Sequence, residues 1–526
     1  MRERLMLHAT AALVTVAILA PLAAPGYVLA YDMVFVPRQP LRWDFLAPVD
    51  ALPRAVPLDA AVSVVTQVVP GWLVQRIALA AIVYAAALGA GRLVPTERTL
   101  SRIVAAIGYA WTPFLAERLL IGQWGLLLCY AALPWLVEAA LARRTGKIVI
   151  AAAVASLTPT GGIIAFVLVC VLSVPWKARL AAAALNAPWV LAALVTAAGG
   201  RSDAEGVAAF AARGENWSGP VGALLGTGGI WNAQTTPDSR GSLLAPLATV
   251  VLLALAAAGY PVLRRRWSAA TRLSVVAVVG FVLALLGTGP AAPALEWLVA
   301  HVPGAGLFRD GQKFLMPYAL LLIICAALGA ERLGRTPVLV GAALLPVVVM
   351  PDLAFGGAGR LRPVDYPRDW AVVAKRVEGG EVLSLPFTAY RAYPWNRDTV
   401  VLDPAPRYLK APVIVDDVLL VGDLSVSGES ARAAEIRRRL ASGEPVTDVR
   451  WVLVQHGAGG EVPASALAGL DLVYAGPTLS LYENPSAPTT APEPRWPLPL
   501  AGHVLALAVT VAAVVQESRR KRPSHD

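Results

Sequence analysis

The sequence predicts an all-α polytopic membrane protein of about twelve transmembrane helices, with a C-terminal extracytoplasmic α/β domain. Three observations lead to this fold class. The 526-residue chain is 57% hydrophobic and only 15% charged, its mean hydropathy is +0.60, and long apolar stretches recur along most of its length. A soluble globular chain carries more charge and fewer apolar residues.

The apolar stretches divide the chain into three parts. They lie at about residues 5–30, 71–91, 101–115, 124–142, 147–158, 162–175, 179–199, 243–263, 272–288, 314–333, 337–353 and 498–515. Several are shorter than the roughly 20 residues that cross a bilayer, so they need flanking residues or tilt. We therefore predict a transmembrane domain at 1–353 with outer loops at 31–70, 200–242 and 289–313, an α/β domain at 354–497, and a final span with a basic tail at 498–526.

Basic residues set the predicted orientation. Lys and Arg follow every even-numbered span, with Arg264, Arg265 and Arg266 after the eighth and Arg519 to Arg522 after the last. Because Lys and Arg accumulate on the cytoplasmic side, both termini are predicted to be cytoplasmic and the α/β domain extracytoplasmic, in the plasma membrane. The net charge of +10 then reflects orientation, and we expect no nucleic-acid partner.

Residues 354–497 differ from the rest of the chain because charge returns there. Short β-rich runs at 381–387, 398–402, 449–455 and 470–482 alternate with helical patterns at 370–377 and 431–440. The segment contains no Gly-rich phosphate loop, nucleophile elbow or zinc-ligand spacing. We expect it to cover or guide an acceptor without carrying chemistry.

Two acidic residues stand on the predicted outer face. Asp32 follows the first span, beside Tyr31 and Arg38, and Glu117 follows the third. A carboxylate near lipid is costly unless it is hydrated, paired or used, so both are candidate catalytic residues. The alternative is that both are hydrated side chains at helix ends, or that Glu117 pairs with Arg118.

Aromatic and polar side chains near these acids are candidates for binding a sugar or an acceptor. Stacking and hydrogen bonding of a sugar ring suit such side chains, although tryptophan is also the usual anchor at a membrane interface. His301 lies in another predicted outer loop, and a lone histidine is more often structural. The candidate set is Tyr31, Arg38, Trp111, Arg118, Gln123, Trp124 and His301.

Two basic residues, Arg309 and Lys313, lie on the predicted outer side just before the tenth span. Outer basic residues run against the usual charge bias, which makes them candidates for binding an anionic lipid phosphate. The alternative is a pair of interfacial anchors with Asp310 as partner.

The stretches Trp111-Thr-Pro-Phe-Leu-Ala-Glu-Arg-Leu119, Phe308-Arg-Asp-Gly-Gln-Lys-Phe314 and Leu481-Tyr-Glu-Asn-Pro485 resemble actinobacterial arabinofuranosyltransferase-like and YfhO-like membrane proteins. The architecture resembles the GT-C glycosyltransferases, which use polyprenyl-phosphate-linked sugars. This resemblance implies transfer of a sugar to a cell-envelope glycan, lipid or protein acceptor.

The resemblance also implies roles for the two acids. Asp32 matches the position of the general base that acts on the acceptor hydroxyl, and Glu117 matches a second acid that coordinates metal or acceptor. No cofactor is certain from the sequence, and a divalent metal at Asp32 and Glu117 is the candidate that the resemblance implies. Met33 stands where many members carry a second acid, a departure that argues against a metal-dependent reaction.

Two other classes of function stay open. A transporter or flippase of lipid or glycan would place charged groups in mid-span and break helices at matching places in two halves, whereas the apolar stretches here are almost free of charge. A noncatalytic scaffold would use the exported domain as a binding module.

Overall fold

The first part of the chain is a bundle of helices joined by short loops. The structure is a computed structural model that describes residues 2–172 and 174–520. Lys521 and Arg522 of the predicted basic tail lie outside the described residues. The helices of the bundle are α1 Arg2–Leu19, α2 Leu58–Val65, α3 Gly71–Leu93, α4 Thr99–Ala110, α5 Pro113–Leu120, α6 Trp124–Leu141, α7 Thr145–Ala155, α8 Pro159–Val171, α9 Trp176–Ala184, α10 Ala187–Val195, α11 Glu205–Ala209, α12 Gly219–Leu225, α13 Leu244–Arg266, α14 Ala270–Leu286, α15 Ala292–His301, α16 Met316–Arg332, α17 Thr336–Val349 and α18 Ala354–Gly359.

The structure contains fewer full-length spans than the sequence predicted. In the described part of the chain, seven helices are long and apolar enough to cross a membrane, and nine if each of two bent pairs, α9–α10 and α17 with Pro351–Gly359, counts as one span. Three predicted spans correspond instead to α7, α8 and α14, which are apolar helices of 10–17 residues. They fall short because about 20 helical residues are needed to cross the hydrocarbon core. The chain is nevertheless a multi-pass membrane protein.

The central helices bury the site. Helix α13 packs along α16, and α3 packs against α1, α4 and α6. Helices α4 and α5 form one broken span, Thr99–Leu120, of which 83% of the most apolar window is buried inside the protein. Helix α5 starts where Thr112 caps Leu115 N–H and Pro113 occupies the first turn. It carries Glu117 and Arg118 into the interior.

The α/β domain follows as a mixed five-stranded sheet and two hairpins. The strands are β1 Val382–Leu385, β2 Tyr390–Ala392, β3 Val400–Leu402, β4 Val413–Ile414, β5 Leu419–Val421, β6 Leu424–Val426, β7 Trp451–Gln455, β8 Asp471–Ala475 and β9 Leu479–Glu483, and the helices are α19 Arg368–Arg376, α20 Ala405–Tyr408 and α21 Ala431–Ser442. The sheet order is β4-β1-β7-β9-β8, while β2 pairs with β3 and β5 with β6. The chain ends with α22 Pro497–Arg520.

The two faces of the sheet bury different side chains, as strand periodicity requires. Trp370 of α19 packs with Leu453 on one face, and Ile436 of α21 packs with Leu383 and Val452 on the other. Strands β1 and β7 are parallel, whereas β7, β9 and β8 are antiparallel. The alternation of strands and helices that the sequence predicted is confirmed.

A segment that follows the first span connects the α/β domain to the helical bundle. Tyr27 pairs with Val364, and Tyr31 pairs with Val401 of β3. The side-chain amide of Asn396 donates to the Leu29 carbonyl at 3.0 Å. Because these contacts lie on both sides of residue 30, they fix the position of Asp32 at the junction of the two domains.

Candidate active site

Asp32 lies in a tight turn of four residues. Ala30 and Met33 exchange backbone hydrogen bonds of 3.3 and 2.9 Å across the turn, and Asp32 N–H donates to the Ile121 carbonyl at 3.1 Å. Tyr31 has a φ of 45°, which a bulky residue adopts only under strong constraint. The loop after α5 touches this turn at Gly122, where an added Cβ would lie 2.3 Å from Met33 N. The turn therefore presses Asp32 against the end of α5.

The Asp32 carboxylate receives two hydrogen bonds from different domains. Tyr390 of β2 donates its hydroxyl to Oδ1 at 2.5 Å, and the Gln123 side-chain amide donates to Oδ2 at 3.1 Å. The side chain stays half-buried. Lys313 of the bundle and Arg407 of the α/β domain lie close enough for their charges to act on Asp32. Each of these cations pairs with another carboxylate, Lys313 with Asp310 and Arg407 with Asp59, both at 3.2 Å.

Tyr390 is a site residue that the sequence analysis missed. Burial and the neighbouring Asp32 carboxylate raise the pKa of Tyr390 well above its usual value, so its hydroxyl stays protonated and donates. A tyrosine that begins a short strand resembles any other strand tyrosine, and only the pairing of β3 with residue 31 brings it to Asp32. The hypothesis that the α/β domain carries no chemistry accordingly needs a direct test.

Arg118 is the centre of a buried hydrogen-bond network. Its guanidinium binds both oxygens of Asp310 at 2.9 Å, donates through Nε to Gln312 Oε1 at 2.8 Å and reaches Gln123 Oε1 at 2.6 Å. Gln123 in turn donates to Asp32. The planar guanidinium suits such bidentate binding of a carboxylate. Arg118 therefore pairs with Asp310, and the alternative that it pairs with Glu117 is not what the structure contains.

Asp310 extends the network to Lys313, whose Nζ lies 3.2 Å from Asp310 Oδ2. Burial by itself would raise the pKa of Asp310, but Arg118 and Lys313 hold it well below its usual value. Asp310 and Gln312 lie inside the 308–314 stretch that the sequence analysis singled out. Their pairing with Arg118 could not be predicted, because about 190 residues of sequence separate them from it.

Glu117 has a different environment from that of Asp32. It is 0% exposed and accepts from Gly229 N–H at 3.2 Å, Ile230 N–H at 3.1 Å and the Gln312 amide at 3.0 Å. Backbone N–H groups of the loop at 200–242 and the side-chain amide of Gln312 thus donate to both oxygens of this carboxylate. Glu117 anchors that loop to α5.

Glu215 and Arg240 complete the buried cluster around Glu117, and both were missed because no motif marks them. They form a 2.8 Å ion pair with side chains that are 0% and 4% exposed. Gly229 N–H also donates to Glu215 Oε1, so two carboxylates share one donor. Gly228 leaves room for both, because an added Cβ there would lie 2.1 Å from Glu215 Oε1.

The two acids do not fit a shared divalent metal. Within residues 2–172 and 174–520, no group of three or more His, Cys, Asp or Glu side chains could hold a metal ion. The oxygens of Asp32 and Glu117 face O–H and N–H donors, whereas a metal ligand turns its lone pairs to the ion. Among the residues that the structure describes, the hydrogen-bond network joins the two acids through Gln123, Arg118 and Gln312.

Arg309 points away from this network. Its guanidinium lies 3.8 Å from Glu429 of the α/β domain and 4.9 Å from the centre of the Phe210 ring. Burial, and next the nearby Arg54, lower the pKa of Arg309 to about 10. Its contacts join the loop at 200–242 to the α/β domain. Of the two basic residues predicted to bind a phosphate, Lys313 is the one near Asp32.

The remaining predicted site residues lie around the network or away from it. Tyr31 donates to Gln234 Oε1 at 2.7 Å, Trp124 packs 4.9 Å from Phe35, and the Trp111 indole donates to the Met350 carbonyl at 2.8 Å. Two others are exposed at positions apart from it. They are Arg38 and His301, the latter stacked on Trp297.

The fold and the junction site define a polytopic membrane protein with a C-terminal α/β domain. The chain is similar to the cryo-EM structure of the arabinofuranosyltransferase AftD from Mycobacteria, with a TM-score of 0.51 at 16% identity over 92% of this chain and 40% of that chain. A point mutant of the same enzyme gives 0.52 at 15% identity, over 93% and 42%. The chain thus spans about two fifths of these structures. No protein-family model and no curated protein matches it.

This similarity confirms the predicted fold class. The fold of this chain resembles that of the AftD structure although the two sequences are only 16% identical. A likeness at this level concerns the fold, and function depends on the site that the fold carries.

Proposed function

We propose that this protein is an integral-membrane glycosyltransferase of the GT-C type that transfers a sugar from a polyprenyl-phosphate-linked donor to a cell-envelope glycan, lipid or protein acceptor. The observation that carries this proposal is the geometry of Asp32. Its carboxylate is half-buried at the junction of two domains, and each oxygen is held by one donor. Each oxygen keeps a lone pair that can take the proton of an acceptor hydroxyl.

Asp32 is proposed as the general base. Inverting transfer requires a carboxylate within hydrogen-bond reach of the attacking hydroxyl and no covalent nucleophile. Tyr390 and Gln123 fix the carboxylate by hydrogen bonds of 2.5 and 3.1 Å. Such orientation contributes to catalysis because the reacting groups meet in a productive geometry. Gln123 and Tyr390 therefore act as positioning residues.

The leaving phosphate needs cations on the donor side. Lys313 meets this requirement best, since its charge acts on Asp32 and since Asp310 holds it at 3.2 Å. Arg407 lies near Asp32 from the other domain. Arg309, which contacts Glu429, is proposed to hold the loop at 200–242 against the α/β domain rather than to bind phosphate directly.

An apolar cavity in the bundle is proposed to contact part of the lipid chain of the donor. It lies among α4, α13, α16 and α17, and Trp111, Thr112 and Arg240 are among its lining residues. Apolar residues form most of its lining, as a hydrocarbon chain requires. Arg240 binds Glu215, so the cavity borders the buried cluster around Glu117.

The name of the similar enzyme suggests arabinofuranose as the first sugar to test. Purified protein in lipid nanodiscs would be given polyprenyl-phosphate-linked arabinofuranose and a cell-envelope glycan, and mass spectrometry would detect a product one sugar larger. Lys313→Ala should raise the apparent KM for the donor more than Arg309→Ala does. Movement of lipid-linked sugar across a proteoliposome membrane without any transfer product would instead indicate a transporter.

The plasma membrane is proposed as the location, with both termini cytoplasmic. The basic residues after the even-numbered predicted spans support this orientation, which requires that the short apolar helices α7, α8 and α14 also cross the membrane. A cysteine introduced at exposed Gly422, in the β5–β6 turn, should react with a membrane-impermeant reagent in intact cells. Protection of that cysteine, with labelling after lysis, would reverse the proposed orientation.

A further inference from the structure

A second pocket, distinct from the junction site, is lined by three arginines and no acid. Arg360, Arg362 and Arg397 line it together with residues of the segment after the first span, including Val28 and Leu29. We call it the arginine pocket. None of its lining residues hydrogen-bonds Asp32 in the described part of the chain.

The arginines of this pocket are only partly neutralised. Arg362 and Arg397 are exposed, and neither side chain takes part in an ion pair or a hydrogen bond among the described residues. Arg360 uses its terminal nitrogens for Asp238 and for the Thr236 carbonyl. Like charges so close together repel one another, which favours binding of an anion between them.

The arginine pocket lies where two candidate spans end. The first span closes at Ala23, five residues before the lining residue Val28. The bent span that begins with α17 closes at Gly359, which is itself a lining residue. The pocket therefore lies near the level at which these two spans end.

These observations indicate that the pocket is suited to a phosphate group. Guanidinium groups bind phosphate through paired N–H donors, and basic pockets at the ends of membrane helices bind anionic lipid headgroups. We propose that the arginine pocket binds the phosphate group of an anionic ligand, and that a phospholipid headgroup of the leaflet on the α/β-domain side supplies it. A bound lipid there would also hold the α/β domain to the membrane, since Arg397 belongs to that domain and Arg360 to the end of the bundle.

Lipid binding by purified protein tests this proposal without reference to any enzymatic activity. Full-length protein in detergent would be titrated with phosphatidylglycerol, phosphatidylcholine or soluble glycerol phosphate, and bound species counted by native mass spectrometry. The variant is R362Q/R397Q. Its control, R201Q/R368Q, removes the same charge from two exposed positions outside the pocket.

We expect phosphatidylglycerol to bind the wild type and the control alike, and the pocket variant at least about tenfold more weakly. Competition by glycerol phosphate would show that the phosphate alone is recognised, and absence of competition with retained lipid binding would assign the site to the lipid form. Equal binding by the pocket and control variants would overturn the proposal. Thermal unfolding of the pocket and control variants at the same temperature would show that the pocket variant is folded. If the double variant unfolds early, the single variant R397Q, at an exposed turn, repeats the test.

Discussion

The surroundings of Asp32 and Glu117 differ, although both acids follow odd-numbered predicted spans and both reach the same network. Asp32 is half-buried and receives one donor on each oxygen. Glu117 is fully buried and receives three donors. A carboxylate that is enclosed and saturated holds structure, because breaking its hydrogen bonds is costly. One that keeps free lone pairs and access to solvent is available for proton transfer.

The largest expected effect concerns the ion pair of Arg118 and Asp310, which lies in the network that connects Asp32 with Glu117. Asp310→Asn leaves the buried Arg118 guanidinium without its counter-charge, and removal of one partner of a buried pair costs about 3–5 kcal/mol. The free energy of unfolding should fall by that order in detergent-solubilised protein. Asp238→Asn is the matched control, because it breaks a pair whose aspartate is 87% exposed. A loss no larger than that of the control would contradict a structural role for the network.

The same pair predicts how acid acts on stability. The pKa of Asp310 is lowered in the folded protein, so its contribution is fully present above the unfolded value, about 4, and is lost as pH falls toward the folded value. Acidification below pH of about 4 should therefore destabilise the wild type more than Asp310→Asn. Parallel curves for the two proteins would show that the pair contributes nothing.

The second effect separates chemistry from structure at Asp32. Asp32→Asn keeps the shape of the side chain but removes the base, so turnover should fall about a hundredfold or more. Donor binding should change little. Initial rates and thermal unfolding measured on the same preparation check both parts, and undiminished transfer would remove Asp32 from the mechanism.

Glu117→Gln should give the opposite pattern. The amide nitrogen would face N–H donors that now point at a carboxylate, which costs about 1–3 kcal/mol for each buried group left unpaired. We expect earlier unfolding and faster proteolysis in the loop at 200–242, while the folded fraction keeps activity within about tenfold of the wild type. A variant that unfolds normally yet loses activity about a hundredfold would make Glu117 catalytic instead.

The smallest effect concerns Tyr390. Tyr390→Phe removes one hydrogen bond to the Asp32 carboxylate, and turnover should fall about tenfold, since a hydrogen bond to a charged group contributes about 1.5–3 kcal/mol. The apparent KM for the donor should change little, because the lost contact orients the base. Tyr482→Phe, in the same domain, is the control because its hydroxyl makes no hydrogen bond among the described residues. Equal activity of Tyr390→Phe and Tyr482→Phe would show that Tyr390 does not contribute to catalysis, as expected if the α/β domain carries no chemistry.

The sequence by itself determined the membrane class, the α/β domain and the stretches that hold the site. Composition and hydropathy decide whether a segment can leave water, and alternation decides whether it forms a strand, so both can be read locally. Three of the twelve predicted spans, α7, α8 and α14, are apolar but shorter than a full span. Hydropathy alone does not separate such helices from full spans.

Only the tertiary structure decided which side chains meet. Tyr390 reaches Asp32 across 358 residues of sequence, and Asp310 reaches Arg118 across 192. No local pattern encodes these pairings, because they follow from the packing of whole domains. The same packing enclosed Glu117 and left Asp32 half-open, although the sequence presents both as acids after a span. Burial and the number of donors distinguish the two carboxylates, and both are properties of the folded chain.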